Sequence, residues 1–171
     1  KPYTDENDII CWHYDHSQQR TVKGINFVTC LYHCQGVSLP IGFEIVRKTE
    51  KYLDPKSGKE KRRSNRTKNE MYRDLMAQAV KNQILFKYAL NDIWFASAEN
   101  MNFVKITLEK EFAMPLKGNR KVATSAEAKQ NGRYQSVETL ELEPMKPVTV
   151  YLEGVEFALL LAKQVFTNED G

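Results

Sequence analysis

The sequence KYALNDIWFA, residues 87–96, predicts a short apolar strand that ends at the carboxylate of Asp92. A helical segment follows, and FAMPLKGNRK, residues 112–121, predicts a second buried strand that ends in a cationic cluster. Open α/β sheets bind ligands and metals at the carboxyl ends of their strands. Carboxylate oxygens suit Mg²⁺ or Mn²⁺, and Mg²⁺ usually takes one or two carboxylates together with phosphate oxygens. The pattern therefore indicates metal-assisted chemistry on a phosphate backbone, with Asp92 as a metal ligand.

Asp92 also has a purely structural interpretation. Aspartate is a preferred residue at turns and helix N-caps, because its side chain accepts a hydrogen bond from a backbone N–H two or three residues later. The spacing alone does not choose between a metal ligand and a turn residue.

Composition narrows the class of protein. The 171 residues suffice for one domain with a real core, and the longest apolar run, Val155 to Ala162, is too short to cross a bilayer. The odd count of three cysteines gives no disulfide framework and favours a reducing, cytoplasmic setting. Cys30, His33 and Cys34 are spaced like metal ligands, but strand alternation would point Cys30 and His33 to opposite faces. We expect no membrane span and no structural zinc.

The net charge of +3 is unevenly distributed. Residues 48–68 contain nine Lys or Arg against three acids, so this segment carries +6 and the remainder −3. Its Pro, Gly and Ser residues predict a flexible loop. Such a loop either supplies salt-dependent affinity for nucleic acid or serves as a solvated tether.

Along the chain, strand patterns alternate with helical ones. Gln35-Gly36 predicts the turn of a hairpin that joins Val22–His33 to Val37–Val46. Thr67 and Glu70 predict a capping box at the start of a helix. Further predicted elements are the strands 88–91 and 112–116, a helix over 97–110, and the late strands 137–142, 148–152 and 155–166.

The order of these elements resembles the catalytic core of insertion-sequence DDE transposases, the bacterial cut-and-paste type. The resemblance is carried by Trp12-His-Tyr-Asp-His-Ser and Val22-Lys-Gly-Ile-Asn, the basic loop, the strand ending in Asp92, and Leu116-Lys-Gly-Asn-Arg120. It implies an α/β fold with an RNase H-like mixed sheet and a β-rich insertion after the second acidic residue. It places a partial core in residues 1–121 and the insertion, with the start of the return to the core, in 122–171.

In that family three carboxylates hold two Mg²⁺ or Mn²⁺ ions for in-line phosphoryl transfer. The resemblance assigns the middle acid to Asp92 and expects the other two outside this chain, which would then be a piece truncated at both ends and inactive by itself. Asp15 remains an alternative for the first acid, whereas Glu169 and Asp170 lie in a turn-like tail without the required helix. If the first strand is missing, three arrangements are open: Ile9–Trp12 takes its central place, a second copy donates a strand, or the hairpin packs elsewhere. We favour the first, because Ile9–Trp12 is the only unassigned apolar run near the amino terminus.

The resemblance also implies partners. DNA, as element ends and target, would be the substrate, bound by a dimer in the synaptic complex of the full-length enzyme and located in the cytoplasm at the nucleoid. We expect phosphate contacts close to the metals and a looser electrostatic grip from the basic loop. The expected DNA-binding residues are Lys117, Asn119, Arg120, Lys121, Arg62, Arg63 and Arg66. The alternative from another class is a non-catalytic nucleic-acid-binding α/β module.

Overall fold

The computed structural model describes residues 5–166 and contains two compact units, Lys1–Phe86 and Lys87–Gly171. Both combine helical segments with small sheets, so the fold is α/β. Within the described range, no helix is both long enough and apolar enough to cross a bilayer.

The first unit is built from three antiparallel hairpins and one long helix. The hairpins pair β1 with β2, β3 with β4, and β5 with β6. The elements are β1 (Cys11–Asp15), β2 (Arg20–Gly24), β3 (Phe27–Cys34), β4 (Val37–Ile45), β5 (Glu50–Leu53), β6 (Glu60–Arg63) and α1 (Lys68–Lys81).

The turn between β3 and β4 confirms the hairpin predicted at Gln35-Gly36. Both residues have positive φ, 49° and 80°, as a two-residue hairpin turn of the primed type requires. Gly36 adopts this conformation without a steric penalty. The hairpin is shorter than predicted at its start, since Val22 belongs to β2.

Helix α1 confirms the capping box. The Thr67 side chain accepts a hydrogen bond from the Glu70 N–H, and the Glu70 carboxylate accepts one from the Thr67 N–H. The helix buries Met71 and Leu75 on the face that packs on the β3–β4 hairpin. A Cβ on Gly42 of β4 would lie 3.0 Å from a Leu75 methyl carbon, so helix and strand approach as closely as glycine allows.

The prediction of a flexible basic loop is wrong. Residues 50–63 form the β5–β6 hairpin, in which Glu50 lies opposite Arg63 and Leu53 opposite Glu60. Asp54 closes the turn by accepting from the Ser57 hydroxyl and the Lys61 ammonium, each at 2.5 Å. Cross-strand pairing of opposite charges orders a segment whose composition resembles that of a disordered one.

Ile9–Trp12 does not act as a central strand. Trp12 instead lies opposite Lys23 in the β1–β2 hairpin. Among residues 5–166 the β3–β4 hairpin forms a two-stranded sheet of its own, and so does the strand Tyr88–Leu90 with its partner Glu111–Ala113.

The second unit begins with a strand–helix–strand motif, in the predicted order, although the strand predicted over 112–116 is shorter and begins one residue earlier. Strand β7 (Tyr88–Leu90) pairs in parallel with β8 (Glu111–Ala113), and Ala89 lies opposite Phe112. The connection contains α2 (Ala98–Asn102), which is capped by the Ser97 hydroxyl and continues as a π-helical turn, Phe103–Thr107. Helix and turn together match the helix predicted over 97–110.

The late segment folds as a four-stranded sheet in the order β10-β9-β11-β12, with antiparallel pairs. Its elements are β9 (Lys121–Ala123), α3 (Ala126–Gln130), β10 (Gln135–Ser136), β11 (Val148–Leu152) and β12 (Leu159–Leu161). The strand predicted over 148–152 is confirmed, and the one over 155–166 shrinks to β12. The strand over 137–142 is wrong, because Val137–Thr139 form a 3₁₀ turn.

The core of the second unit contains residues of both the strand–helix–strand motif and the four-stranded sheet. Met101 of α2 is buried in one cluster with Val122 of β9 and with Val150 and Leu152 of β11. The predicted domain boundary between residues 121 and 122 falls inside strand β9. That division, the RNase H-like sheet and the insertion stay predictions.

Candidate active site at the strand ends of the second unit

Asp92 follows β7 at its carboxyl end, where the sequence predicted it. Its backbone leaves the strand in an extended conformation, φ −65° and ψ 156°, and caps the 3₁₀ turn Ile93–Phe95. The side chain is exposed, and its Oδ1 accepts a hydrogen bond from the Trp94 N–H at 3.0 Å. The N-cap interpretation is therefore realised in the structure. It does not exclude the other one, because an ionised carboxylate has two oxygens and about four acceptor positions.

The cationic turn after β8 lies against the loop that carries Asp92. The Lys117 ammonium is 4.2 Å from the centroid of the Trp94 ring, which is 58% exposed. The Arg120 guanidinium donates a hydrogen bond to the Ala96 carbonyl at 3.3 Å. Lys117 and Arg120, two of the expected DNA-binding residues, thus hold the cationic turn against the 3₁₀ turn that Asp92 caps.

The remaining two residues of this set extend the same surface. Asn119 is exposed within the turn, which is closed by a hydrogen bond from the Arg120 N–H to the Lys117 carbonyl. Lys121 is exposed at the start of β9, opposite Ser136 of β10. Their contacts with phosphate stay predictions.

A second carboxylate lies on this turn. The Glu138 N–H donates to the Gly118 carbonyl at 2.9 Å, and a Cβ on Gly118 would lie 2.9 Å from Oε2 of Glu138. A side chain at position 118 would therefore displace the Glu138 side chain, and the contact places an acidic group against Gly118 of the cationic turn.

The expected DNA-binding arginines of the first unit all have partners. Arg63 forms a 2.8 Å ion pair with Glu50, and Arg66 pairs with Glu44 and Asp74. Arg62 lies 3.9 Å from Glu6 and donates to the Lys48 carbonyl. Ion pairs and hydrogen bonds thus engage cations that the sequence counted as available.

Asp15 has a local structural role. Its Oδ1 accepts hydrogen bonds from the Ser17 N–H and hydroxyl at 2.9 and 2.6 Å, which caps the β1–β2 turn. These bonds, the Ser17 hydroxyl foremost, lower the pKa of its carboxyl. Glu169 and Asp170 lie outside the described residues.

Cys30, His33 and Cys34 lie along the single strand β3. His33 Nδ1 and the Ser38 hydroxyl form a 2.9 Å hydrogen bond, while partial burial raises the pKa of the Cys30 thiol. Absence of zinc stays a prediction.

The family follows from a comparison with known protein families. Residues 6–141 match the family model described as DDE superfamily endonuclease. The chain belongs to the DDE superfamily endonucleases. The match covers most of the chain, including Asp92, the cationic turn and Glu138, and it implies a nuclease-type enzyme that acts on DNA. Neither a curated protein nor a solved structure matches the chain.

A divalent cation, as used by DDE endonucleases, can be tested against the donor set. Asp92 presents an exposed carboxylate at a strand end, with one oxygen shared with the Trp94 N–H. Within residues 5–166 no three His, Cys, Asp or Glu side chains come together as a metal-binding group. The described residues thus fit a single protein ligand at this point, compatible with Mg²⁺ that keeps waters and phosphate oxygens.

Sequence reasoning missed two residues that lie at this candidate site. The sequence carried a signal for Trp94, since it is a large aromatic residue that lies two positions after Asp92, beyond the end of the buried strand. Glu138 carried none, because its position depends on the non-local contact with Gly118.

Proposed function

We propose that this chain is part of a DNA transposase of the DDE type, in which Asp92 ligates a divalent cation at the cleaved phosphodiester. The observation that carries the proposal is the juxtaposition at the strand ends. An exposed carboxylate leaves β7, and the Lys117 and Arg120 side chains contact its loop through Trp94 and Ala96. The match to DDE endonucleases supports the same chemistry.

The bound cation would be Mg²⁺ or Mn²⁺, and it would polarise the scissile phosphate. Asp92 would hold the cation at the end of β7, and the N-cap hydrogen bond from the Trp94 N–H would limit the rotation of its carboxylate. Lys117, Asn119, Arg120 and Lys121 bind phosphates next to the cleaved bond. In the full-length enzyme we propose two metal ions, a dimeric synaptic complex, and element ends and target DNA as substrates.

Arg62, Arg63 and Arg66 have a secondary role in this proposal. Each would bind phosphate either by sharing its charge with its present carboxylate or carbonyl partner or by losing that partner. The β5–β6 hairpin therefore contributes a weaker electrostatic attraction than its charge count suggests.

The second candidate function is a nucleic-acid-binding module without chemistry. The observation in its favour is the hydrogen bond that makes Asp92 an N-cap. The two candidates differ in whether DNA binding depends on a divalent cation.

The experiment is a Mn²⁺ titration of the chain, followed by the spin-resonance signal of free Mn²⁺, with and without a DNA duplex. We expect weak binding to the protein alone, since one carboxylate is available, and tighter binding with DNA, whose phosphates add ligands. Asp92→Asn should lower the affinity at least about tenfold, as losses around metal sites generally do. Asparagine keeps the cap, so the fold is preserved.

The matched control is Asp15→Asn, which changes another turn-capping carboxylate. Mn²⁺ binding that responds to both substitutions equally, or to neither, contradicts the metal-ligand role of Asp92 and favours the non-catalytic module.

A further inference from the structure

A pocket of about 450 Å³ opens in the first unit, away from every residue assigned above except Arg66. It lies where β4 ends, where the β5–β6 hairpin begins and ends, and where α1 starts. The residues that matter for its chemistry are Phe43, Arg47, Thr49, Asn65, Arg66 and Met71.

One side of the pocket is apolar. Phe43 of β4 presents an aromatic ring that is 65% exposed, whereas Met71 of α1 is buried. An exposed aromatic ring at the mouth of a concave site can stack on any nucleobase, since every base has a π-face.

The other side is polar and cationic. Arg47 is exposed, and no ion pair to a carboxylate holds it within residues 5–166. Arg66 bridges the Glu44 carboxylate of the same pocket, which offsets that negative charge. The hydroxyl of Thr49 and the amide of Asn65 add hydrogen-bonding groups that can serve a base edge or a phosphate.

We infer that this pocket binds one unpaired nucleotide of single-stranded DNA, with its base on Phe43 and its phosphate on Arg47. The inference rests on the proposed function, in which the chain acts on DNA. The volume lies within the range of small-molecule sites and suits a nucleotide. A base in a duplex cannot reach the pocket, because it stays stacked between its neighbours unless it is extruded.

The position of the pocket supports a strand rather than a free nucleotide. Thr49 directly precedes β5 and Asn65 lies two residues after the end of β6, so the pocket lies at the base of the basic hairpin. Lys56 and Lys59, exposed at the turn of that hairpin, offer cations to the neighbouring phosphates.

The test measures binding of the chain to a short oligothymidine and to an abasic oligomer of the same length. Phe43→Ala should weaken oligothymidine binding about fivefold or more and leave the abasic oligomer unchanged, because only stacking is lost. Arg47→Gln should weaken both. The control is Leu31→Ala, which removes a side chain of similar exposure (60%) from the same hairpin but outside the pocket.

Phe43→Trp keeps a ring for stacking and provides a second readout, quenching of the new tryptophan by oligothymidine but not by the abasic oligomer. Equal affinity of the unsubstituted chain for the two oligomers, or equal loss in Phe43→Ala and Leu31→Ala, overturns the inference and leaves the proposed function standing. Failure to bind any DNA, duplex included, overturns both.

Discussion

The β5–β6 hairpin and the turn Lys117–Arg120 are both cationic, but their charges are used differently. In the hairpin the cations meet carboxylates, with Arg63 on Glu50 and Lys61 on Asp54. In the turn they meet an aromatic ring and a carbonyl, with Lys117 on Trp94 and Arg120 on Ala96. The hairpin has the larger count of basic residues, but Lys51, Lys61 and Arg63 are paired with carboxylates. Among residues 5–166 neither Lys117 nor Arg120 forms an ion pair.

The difference shows that a charge count does not measure the charge available to a ligand. A cation paired with a carboxylate must lose that partner, or share it, before it binds phosphate, whereas a cation over a ring keeps its full charge. The turn should therefore contribute more to DNA affinity per residue than the hairpin.

The largest expected effect compares two double substitutions of equal charge. Lys117→Gln with Lys121→Gln should reduce the slope of log affinity against log salt concentration by about two, because two phosphate contacts are lost. Arg62→Gln with Arg63→Gln should reduce it by less than about one, since both arginines are already engaged. Filter binding or anisotropy with one duplex over a range of salt concentrations measures both slopes. Equal slopes for the two variants would remove the distinction between the regions.

Local sequence patterns predicted much of the fold. The positive-φ turn at Gln35-Gly36 and the Thr67–Glu70 capping box depend on residues within a few positions of each other, so their chemistry is visible in the sequence. The strand–helix–strand order of β7, α2 and β8 was predicted from two apolar runs separated by a helical one.

Non-local contacts account for what the sequence did not predict. The pairing of Glu50 with Arg63 joins residues that composition assigned to one flexible loop. The 3₁₀ turn at Val137–Thr139 overrides the strand preference of its β-branched residues, as tertiary context often does. In the candidate site the position of Asp92 was predicted, but its contacts with Trp94, and those of Trp94 with Lys117, required the folded chain.

An intermediate effect on DNA affinity is expected when cations of the β5–β6 hairpin lose their carboxylate partners, as the cations of the Lys117–Arg120 turn have none among residues 5–166. Glu50→Gln with Glu60→Gln removes the partners of Arg63 and Lys51, so both cations become available to phosphate. DNA affinity should rise by roughly tenfold at low salt, and the salt slope should steepen by up to about two. Stability should change little, because exposed ion pairs contribute about 0–1 kcal/mol each.

The control for this variant is Glu141→Gln with Glu156→Gln, which changes the net charge equally. Both carboxylates are exposed, and neither forms an ion pair among the described residues. An equal gain in affinity from this control would mean that net charge, rather than release of specific cations, governs binding.

The smallest expected effect concerns the ion pair between Lys61 and Asp54, the shortest of the β5–β6 hairpin. The Lys61 ammonium, followed by the Ser57 hydroxyl, lowers the pKa of Asp54 from 3.8 to about 2. A carboxyl whose pKa is lower in the folded state stabilises that state above its unfolded pKa and loses this contribution as the pH falls through its folded pKa. Lys61 obeys the converse rule, since Asp54 raises its pKa, and its contribution is lost only at strongly alkaline pH. The pair should therefore stay intact from about pH 4 to pH 10.

Carboxyl carbon chemical shifts followed by NMR across an acid titration would measure the pKa of Asp54 directly. Lys61→Gln should raise it towards 3.8, because the largest cause of the shift is removed. Asp15 serves as the internal control, since its pKa is lowered mainly by Ser17 and should not respond to Lys61→Gln. If Asp54 titrated at its ordinary pKa in the unsubstituted chain, the hairpin cations would be as available as those of the Lys117–Arg120 turn, and the contrast between the two regions would be lost.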